Sequence, residues 1–505
     1  MNRRRFLAAG GTTAALAALA GCGAAAGLLP SGGGNNSVQG SAGAVLTSEV
    51  PLPPPFRAPL PIPPVLQPVR RDGGTDFYEI TQHVGRATIL PGLTTEVWGY
   101  EGRFPGPTIV SRRGRRTVVH HRNRLPVPVS VHLHGGRTAP EHDGYPTDLI
   151  EPAGQRDYVY ELDQPAATLW YHDHRMDFTG PQVYRGLAGF HLVRDDDEDA
   201  LGLPSGEREV PLMITDRAFA ADGSFRYPSV DPSLTSTPGV HDDYMSGVLG
   251  DCILVNGAPW PVMEVATVKY RFRVLNASNA RRYRLRLEGG PPFVQIGSDL
   301  GLLAAPVAHD ELDIAQAERF DVVVDFSGHS PGDEITMVND YGRGGTAEVM
   351  RFVVARREDD TSTVPARLAD VATLSEDDVV EQRTFVFARG DAQAHGTTLW
   401  TVNDQPFSPD TILARPRLGT TERWVIRALN VEHPIHIHLA PFQVLRQDGN
   451  EPGPYTRGWK DTVNLDNGGR ADLLLRFEGY RGKYVFHCHN LEHEDMMMMA
   501  NFEVV

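Results

Sequence analysis

From about residue 75 onward the chain is built of short apolar runs rich in Val, Ile, Tyr and Phe. Each run is closed within a few positions by Gly, Pro, Asn or Asp, the punctuation of strands joined by turns. Tyr270-Arg271-Phe272-Arg273-Val274-Leu275-Asn276 alternates in character, and the segment Ala317 to Phe326 is another such run; both read as structural strands. Long amphipathic helical patterns are absent. The pattern predicts an all-β protein.

Composition shifts divide this β-rich body into three blocks: 75–197, closing in the acidic run Asp195-Asp196-Asp197-Glu198; 208–357; and 383–505. An acidic, Pro-containing linker near 358–382 separates the last two. Blocks of this size fit β-sandwiches. Ahead of the body, residues 23–74 are rich in Gly, Ala and Ser and then in Pro. Such a composition cannot bury a core, and it predicts a tether stiffened by polyproline that holds the body away from a membrane surface.

The first 22 residues read as an export signal. Arg3-Arg4-Arg5-Phe6-Leu7 carries the paired arginines of a Tat-type leader. The apolar run Ala14–Ala20 is too short to remain as a membrane helix. It ends in Leu19-Ala20-Gly21-Cys22, which resembles a bacterial lipoprotein processing box, with Cys22 as the lipidated first residue of the mature chain. The expected location is the envelope or outer surface of a bacterium, with membrane contact only through that anchor.

At 505 residues, 41% hydrophobic and 22% charged, the chain is long enough for several sizeable cores. A net charge of −16 argues against nucleic-acid binding and is read as surface solvation. With Cys22 in the leader and Cys488 among histidines, Cys252 has no disulfide partner and is expected to be a small buried residue.

The chemistry lies in four histidine groups. His487-Cys488-His489 follows the strand-like run Lys483–Phe486. Alternation along a strand sends His487 and His489 to one face and Cys488 to the other, so one strand can serve two metal sites. Cys488 would join His493 and Met498 from the loop that follows; a thiolate with two imidazoles and a weak thioether is the ligand set of a blue copper site. The remaining groups are His132-Leu133-His134, His172-Asp173-His174 and His433-Pro434-Ile435-His436-Ile437-His438. Each H-x-H pair puts two imidazoles on one strand face.

These groups, in this order, resemble the multicopper oxidases, most closely the branch of bilirubin oxidases and spore-coat laccases. The resemblance runs from about residue 75 to the end and includes Val131–Gly136, Asp143–Pro146, Leu169–His174, Val255–Pro261, His433–Leu439 and His487–Asp495. It implies three cupredoxin Greek-key β-sandwich domains and four coppers per chain. The type 1 copper would take His433, Cys488, His493 and Met498. The type 2 copper would take His132 and His436. One type 3 copper would take His134, His172 and His489, and the other His174, His438 and His487. Spacing alone does not say which member of a pair serves which copper. No ligand is evident in the middle block, which is expected to be a spacer and part of the substrate surface.

The resemblance implies one-electron oxidation of phenolic, aromatic amine or tetrapyrrole donors, coupled to four-electron reduction of dioxygen to water by a monomer. Asp143 and Glu494 match acidic residues that the family uses to deliver protons; each also fits a partner that orients an imidazole. Asp173 reads as a solvated or capping residue. Met496–Met499 raises cuprous ion as an alternative donor, in copper tolerance, since thioethers suit Cu(I). Where the bilirubin oxidase branch commonly has an aromatic residue before the first type 1 histidine, this chain has Val431-Glu432. The electron-entry surface is therefore expected to differ, which weighs against bilirubin as the substrate. Electron entry is expected at the edge of His493.

Overall fold

A computed structural model describes residues 37, 38, 40–394 and 397–505. The twin arginines, Cys22 and the first part of the tether lie outside these residues. The body is a succession of three β-sandwiches. In the first, a sheet containing Thr75–Ala87 faces a four-stranded sheet containing Val131–His134 and Ala167–Asp173. In the second, an eight-stranded sheet faces a five-stranded one, and in the third two five-stranded sheets face each other.

The three units repeat one device. A long opening strand pairs in parallel with a later strand of its own sandwich: Thr75–Ala87 with Arg116–Asn123, Glu209–Phe219 with Lys269–Asn276, and Val379–Ala394 with Thr421–Ala428. Parallel pairing requires a crossover, as in Greek-key sandwiches. The apolar side chains of facing sheets fill the interiors. Phe385, Phe387, Trp424, Phe486 and Phe502 pack in the third domain, and Phe272, Phe320, Phe326 and Phe352 in the second. Cys252 is a fully buried free thiol in the second core.

The segment before the body departs from expectation. It does not stand off as a tether from residue 40 onward. Ala44–Leu46 pairs in parallel with Val248–Gly250. Pro59 bridges to Val262 and Val65 to Thr108. Leu52, Phe56 and Leu60 pack against the second core, and Arg70–Asp72 adds a strand to the first domain. A proline-rich stretch cannot form its own core, but its extended backbone can lie along another domain and fill grooves there. The acidic linker is also laid down: Asp360 and Glu358 pair with Arg208, and Leu368 is buried. Among the described residues no helix is long and apolar enough to cross a membrane.

Candidate metal centres

Strand register assembles the site. In the first domain His132 lies opposite His172, and His134 opposite Trp170. In the third, His436 lies opposite His487, and Ile435 opposite Cys488. The next residue along each strand pair continues the alignment: His174 N–H bonds the Ser130 carbonyl at 2.8 Å, and His489 N–H that of Pro434 at 2.6 Å. The two histidine-bearing sheets meet across the domain boundary. His132 stacks on His438 with ring centroids 3.8 Å apart, and His134 on His436 at 3.6 Å. All eight H-x-H histidines are buried in this nest.

Most of these rings have one nitrogen anchored and the other turned inward. The Nδ1–H groups of His132, His172 and His436 donate to the carbonyls of Asp143, Asp173 and Asp461 at 2.6, 2.8 and 2.9 Å. His438 Nδ1 donates to Asp143 Oδ2 at 2.7 Å, and His487 Nδ1 to the Cys488 carbonyl at 3.1 Å. A carbonyl can only accept, so the proton sits on Nδ1 and Nε2 keeps its lone pair. His134 is reversed: its Nε2 meets Asp461 Oδ1 at 3.1 Å, and its Nδ1 has no partner.

The free nitrogens converge. His132 Nε2 lies 3.4 Å from His436 Nε2, and His487 Nε2 lies 3.3 Å from both His174 Nε2 and His438 Nε2. Burial favours the neutral form of His132, His134, His172, His174, His436, His438 and His489, with His172 pushed down to about 3 and His174 to about 4. Neutral imidazole is the ligating form. Lone pairs that face one another at these distances, with His172 Nε2 and both nitrogens of His489 unpartnered, are what a set of metal cations would satisfy.

By distance, donor atoms fall into overlapping triads within 4.8 Å: His132/His436/His438, His132/His134/His172, His174/His438/His487 and His134/His436/Asp461. The third is one of the type 3 sets implied by the resemblance. His489 stands with its ring 5.1 Å from His134 and 5.3 Å from His172.

Three buried carboxylates border the nest. Asp143 bonds His438 through its carboxylate and His132 through its carbonyl, and burial pushes its carboxyl up to about 8. Glu494 reaches between two rings, 3.3 Å from His174 Nδ1 and 3.1 Å from His487 Nδ1, off the hydrogen-bonding line of both. Burial raises Glu494, but positive charge on His487 and His174 draws it down to about 2. That pull acts only when the rings, or a metal behind them, carry charge. For Asp461 burial also opposes ionisation, yet the Arg319 guanidinium and His134 hold it well below the usual range. Asp173 is not solvated. It is fully buried and accepts from the backbone N–H groups of Ser130 and Arg175, because the strand end it occupies is covered on both faces.

Cys488 points the other way, into the third domain's core. Its Sγ lies 3.5 Å from His433 Nδ1 and from His493 Nδ1, which are themselves 3.1 Å apart. His433 Nε2 is anchored on the Leu429 carbonyl, and Asn490 N–H donates to Sγ at 3.4 Å. The short helix Leu491–Asp495 carries His493 back over the strand, and the buried Met498 closes the loop through backbone bonds to His493 and Cys488. Two imidazoles and a thiol, with a thioether in the same loop, fit a blue copper ion.

His493 does not present an edge to solvent: it is 0% exposed. Trp400, itself buried, covers it with ring centroids 3.9 Å apart and bonds the Met245 carbonyl. Trp400 and Asp461 have no local motif in the sequence, and each comes into place through pairing or packing of distant segments; Trp170 and Asn490 lie within the motifs Leu169–His174 and His487–Asp495, but their contacts follow only from the fold. Beyond Gly135, a cleft of about 410 Å³ is lined by Arg137, Gln164, Leu300 and Trp459. Gly135 has φ +86°, and a Cβ there would come within 2.8 Å of Asp461 Oδ2.

Two family models described as multicopper oxidase match residues 82–198 and 378–505, the domains that hold the histidines. A laccase of Bacillus subtilis is 37% identical over 503 residues, covering 88% of this chain and 97% of that one. A bilirubin oxidase of Albifimbria verrucaria is 40% identical over 484 residues, covering 89% and 81%. The crystal structure of a laccase from Pediococcus acidilactici superposes with a TM-score of 0.81 at 32% identity, covering 91% of this chain and 95% of that one.

Proposed function

The chain belongs to the multicopper oxidases, and from that premise we propose that it is a laccase-like enzyme acting on aromatic donors. Four donor molecules each give up one electron, and dioxygen takes up four electrons and four protons to form two waters. The observation that carries this reading is the nest of eight buried imidazoles with converging ring nitrogens, one peptide bond from a second, cysteine-containing donor set.

His433, Cys488, His493 and Met498 would hold the type 1 copper; His132 and His436 the type 2; His134, His172 and His489, and His174, His438 and His487, the type 3 pair. When bound, these four coppers supply one-electron acceptance at the first position and multi-electron reduction of dioxygen at the other three. Cys488 is bonded through the backbone to His487 and His489, so the thiolate and two cluster rings share a short covalent path. Asp143 and Glu494 are proposed to deliver protons. Asp143 is raised enough by burial to carry a proton at neutral pH and is already bonded to His438, while Glu494, held ionised by charge on His487 and His174, would accept a proton and pass it on between those two rings.

Aromatic donors are favoured over cuprous ion because Met496, Met498 and Met499 are buried, leaving only Met497 of that run partly exposed. Dioxygen uptake by the copper-loaded chain, with a methoxyphenol and with Cu(I) in parallel, tests this choice; a rate on Cu(I) far above that on the phenol would reverse it. We also infer Tat export, lipid anchoring at Cys22 and a monomeric state. The mass of the mature N-terminal peptide from a bacterial membrane fraction, and light scattering of the purified body, test these.

A further inference from the structure

The middle domain supplies none of the proposed ligands, yet one of its side chains reaches the nest. Arg319 opens the strand Arg319–Asp325 in the segment that reads from sequence as purely structural. It is fully buried, and all five of its guanidinium N–H groups are engaged. Nε donates to the Thr168 carbonyl of the first domain at 2.9 Å. Nη1 donates to the Ala317 carbonyl and to Asp461 Oδ1, both at 2.8 Å. Nη2 donates to the Asp299 carbonyl at 3.0 Å and to Asp461 Oδ2. One side chain thus joins all three domains, gripping Asp461 with both arms of its fork.

Asp461 in turn touches two candidate ligands. Its Oδ1 accepts from His134 Nε2 at 3.1 Å, and its carbonyl accepts from His436 Nδ1 at 2.9 Å. A bidentate guanidinium–carboxylate pair fixes the carboxylate plane more firmly than a point charge would. The buried Lys460 of the third domain, paired with Asp299 and Glu318 of the second, braces the same corner. The consequence is visible in His134, the ring anchored through Nε2 with a free Nδ1.

We propose that Arg319 is a positioning residue for the three-copper cluster: it holds Asp461 so that His134 and His436 present the correct nitrogens from opposite domains. This rests on the ligand reading given above. The middle domain then sets the geometry of a site to which it contributes no ligand.

The test compares copper-loaded wild type, Arg319→Met and Arg319→Lys of the full chain. Copper content, the blue absorption band, the near-ultraviolet absorption of the type 3 pair and the type 2 resonance are recorded. Outer partners of metal ligands are worth roughly 10–100-fold in metal affinity. Arg319→Met should therefore keep the blue band but lose the type 2 and type 3 signals, with cluster affinity reduced by that factor. Arg319→Lys keeps the charge without the fork and should fall between. Arg281→Met, which removes another fully buried arginine of the middle domain, should leave the cluster signals intact. If Arg319→Met does not fold, Arg319→Lys decides by the same signals. Cluster signals unchanged in a folded Arg319 variant, or lost equally in Arg281→Met, would overturn the proposal. A wild type without a blue band or without four coppers would instead mean that the ligand reading itself is wrong.

Discussion

Asp143 and His438 meet across the boundary between the first and third domains, Oδ2 to Nδ1, at 2.7 Å. The same aspartate anchors His132 through its carbonyl, so one residue orients two rings that stack on each other.

Asp143→Asn separates the two roles open to that carboxyl group. The amide oxygen can still accept from His438, but it cannot carry a proton. General acid–base groups contribute about 10²–10⁴-fold. Steady-state dioxygen uptake should therefore fall at least roughly 100-fold, while copper content and anaerobic bleaching of the blue band by a phenol stay near wild type. Retained turnover in a fully loaded Asp143→Asn would leave only the orienting role.

Trp400 seals His493 from water. Trp400→Ala should cost about 3–5 kcal/mol of stability, as large-to-small core changes do. Water reaching the site favours the more highly charged oxidised copper, so the type 1 potential should drop. Potentiometric titration of the blue band checks this; an unchanged potential would mean that the cavity stays dry or collapses.

Cys488→Ser should abolish the blue band and turnover on phenols while sparing the other coppers, since the nest lies on the opposite face of the strand. Metal analysis giving about three coppers, with type 2 and type 3 signals intact, is the expected result. Loss of every copper would show that the two centres do not form independently.

Removing copper should lower the melting temperature, because metal that binds only the folded chain stabilises it by mass action. The loss should be largest where the first and third domains meet, around His132–His438 and His134–His436. Calorimetry of chelated and reloaded protein reads the difference; identical transitions would argue against metals bridging the domains.

Acid should destabilise the contact between the first two domains. Burial raises Glu209, but Arg273 and Arg194 outweigh it and draw the carboxyl from its ordinary value down to about 2, and Glu198 is held lower still by Arg273 and Arg271. Groups depressed on folding add stability above their unfolded value, and lose it as the pH falls toward the folded one. The loss should therefore spread over roughly pH 5 to 2, amounting to about 3 kcal/mol for Glu209 alone. Glu209→Gln should be less stable at pH 7 and flatter below pH 5 in denaturant titrations.

What sequence revealed and what it hid have different physical origins. Alternation at His487-Cys488-His489 is local, and it correctly separates the nest from the core-facing thiol. The H-x-H pairs are legible for the same reason, because a strand repeats every two residues. Asp461 and Arg319 acquire their roles only through register and domain docking, between segments more than a hundred residues apart. Nothing near them in sequence marks that contact. Trp400 lies on the strand Thr397–Val402, far in sequence from the His493 that it covers. The packing of residues 40–72 is hidden in the sequence because composition reports the inability to form a core, not the ability to lie on one.

The most direct measurement is the copper content and visible spectrum of the full chain after loading with copper. About four coppers per chain with an intense blue band, bleached by a phenol without oxygen and restored by admitting it, is the result expected from twelve ligands arranged as described. One copper or fewer, or four coppers without the blue band, would contradict the assignment of Cys488, His433 and His493 to one centre and of the eight H-x-H histidines to another.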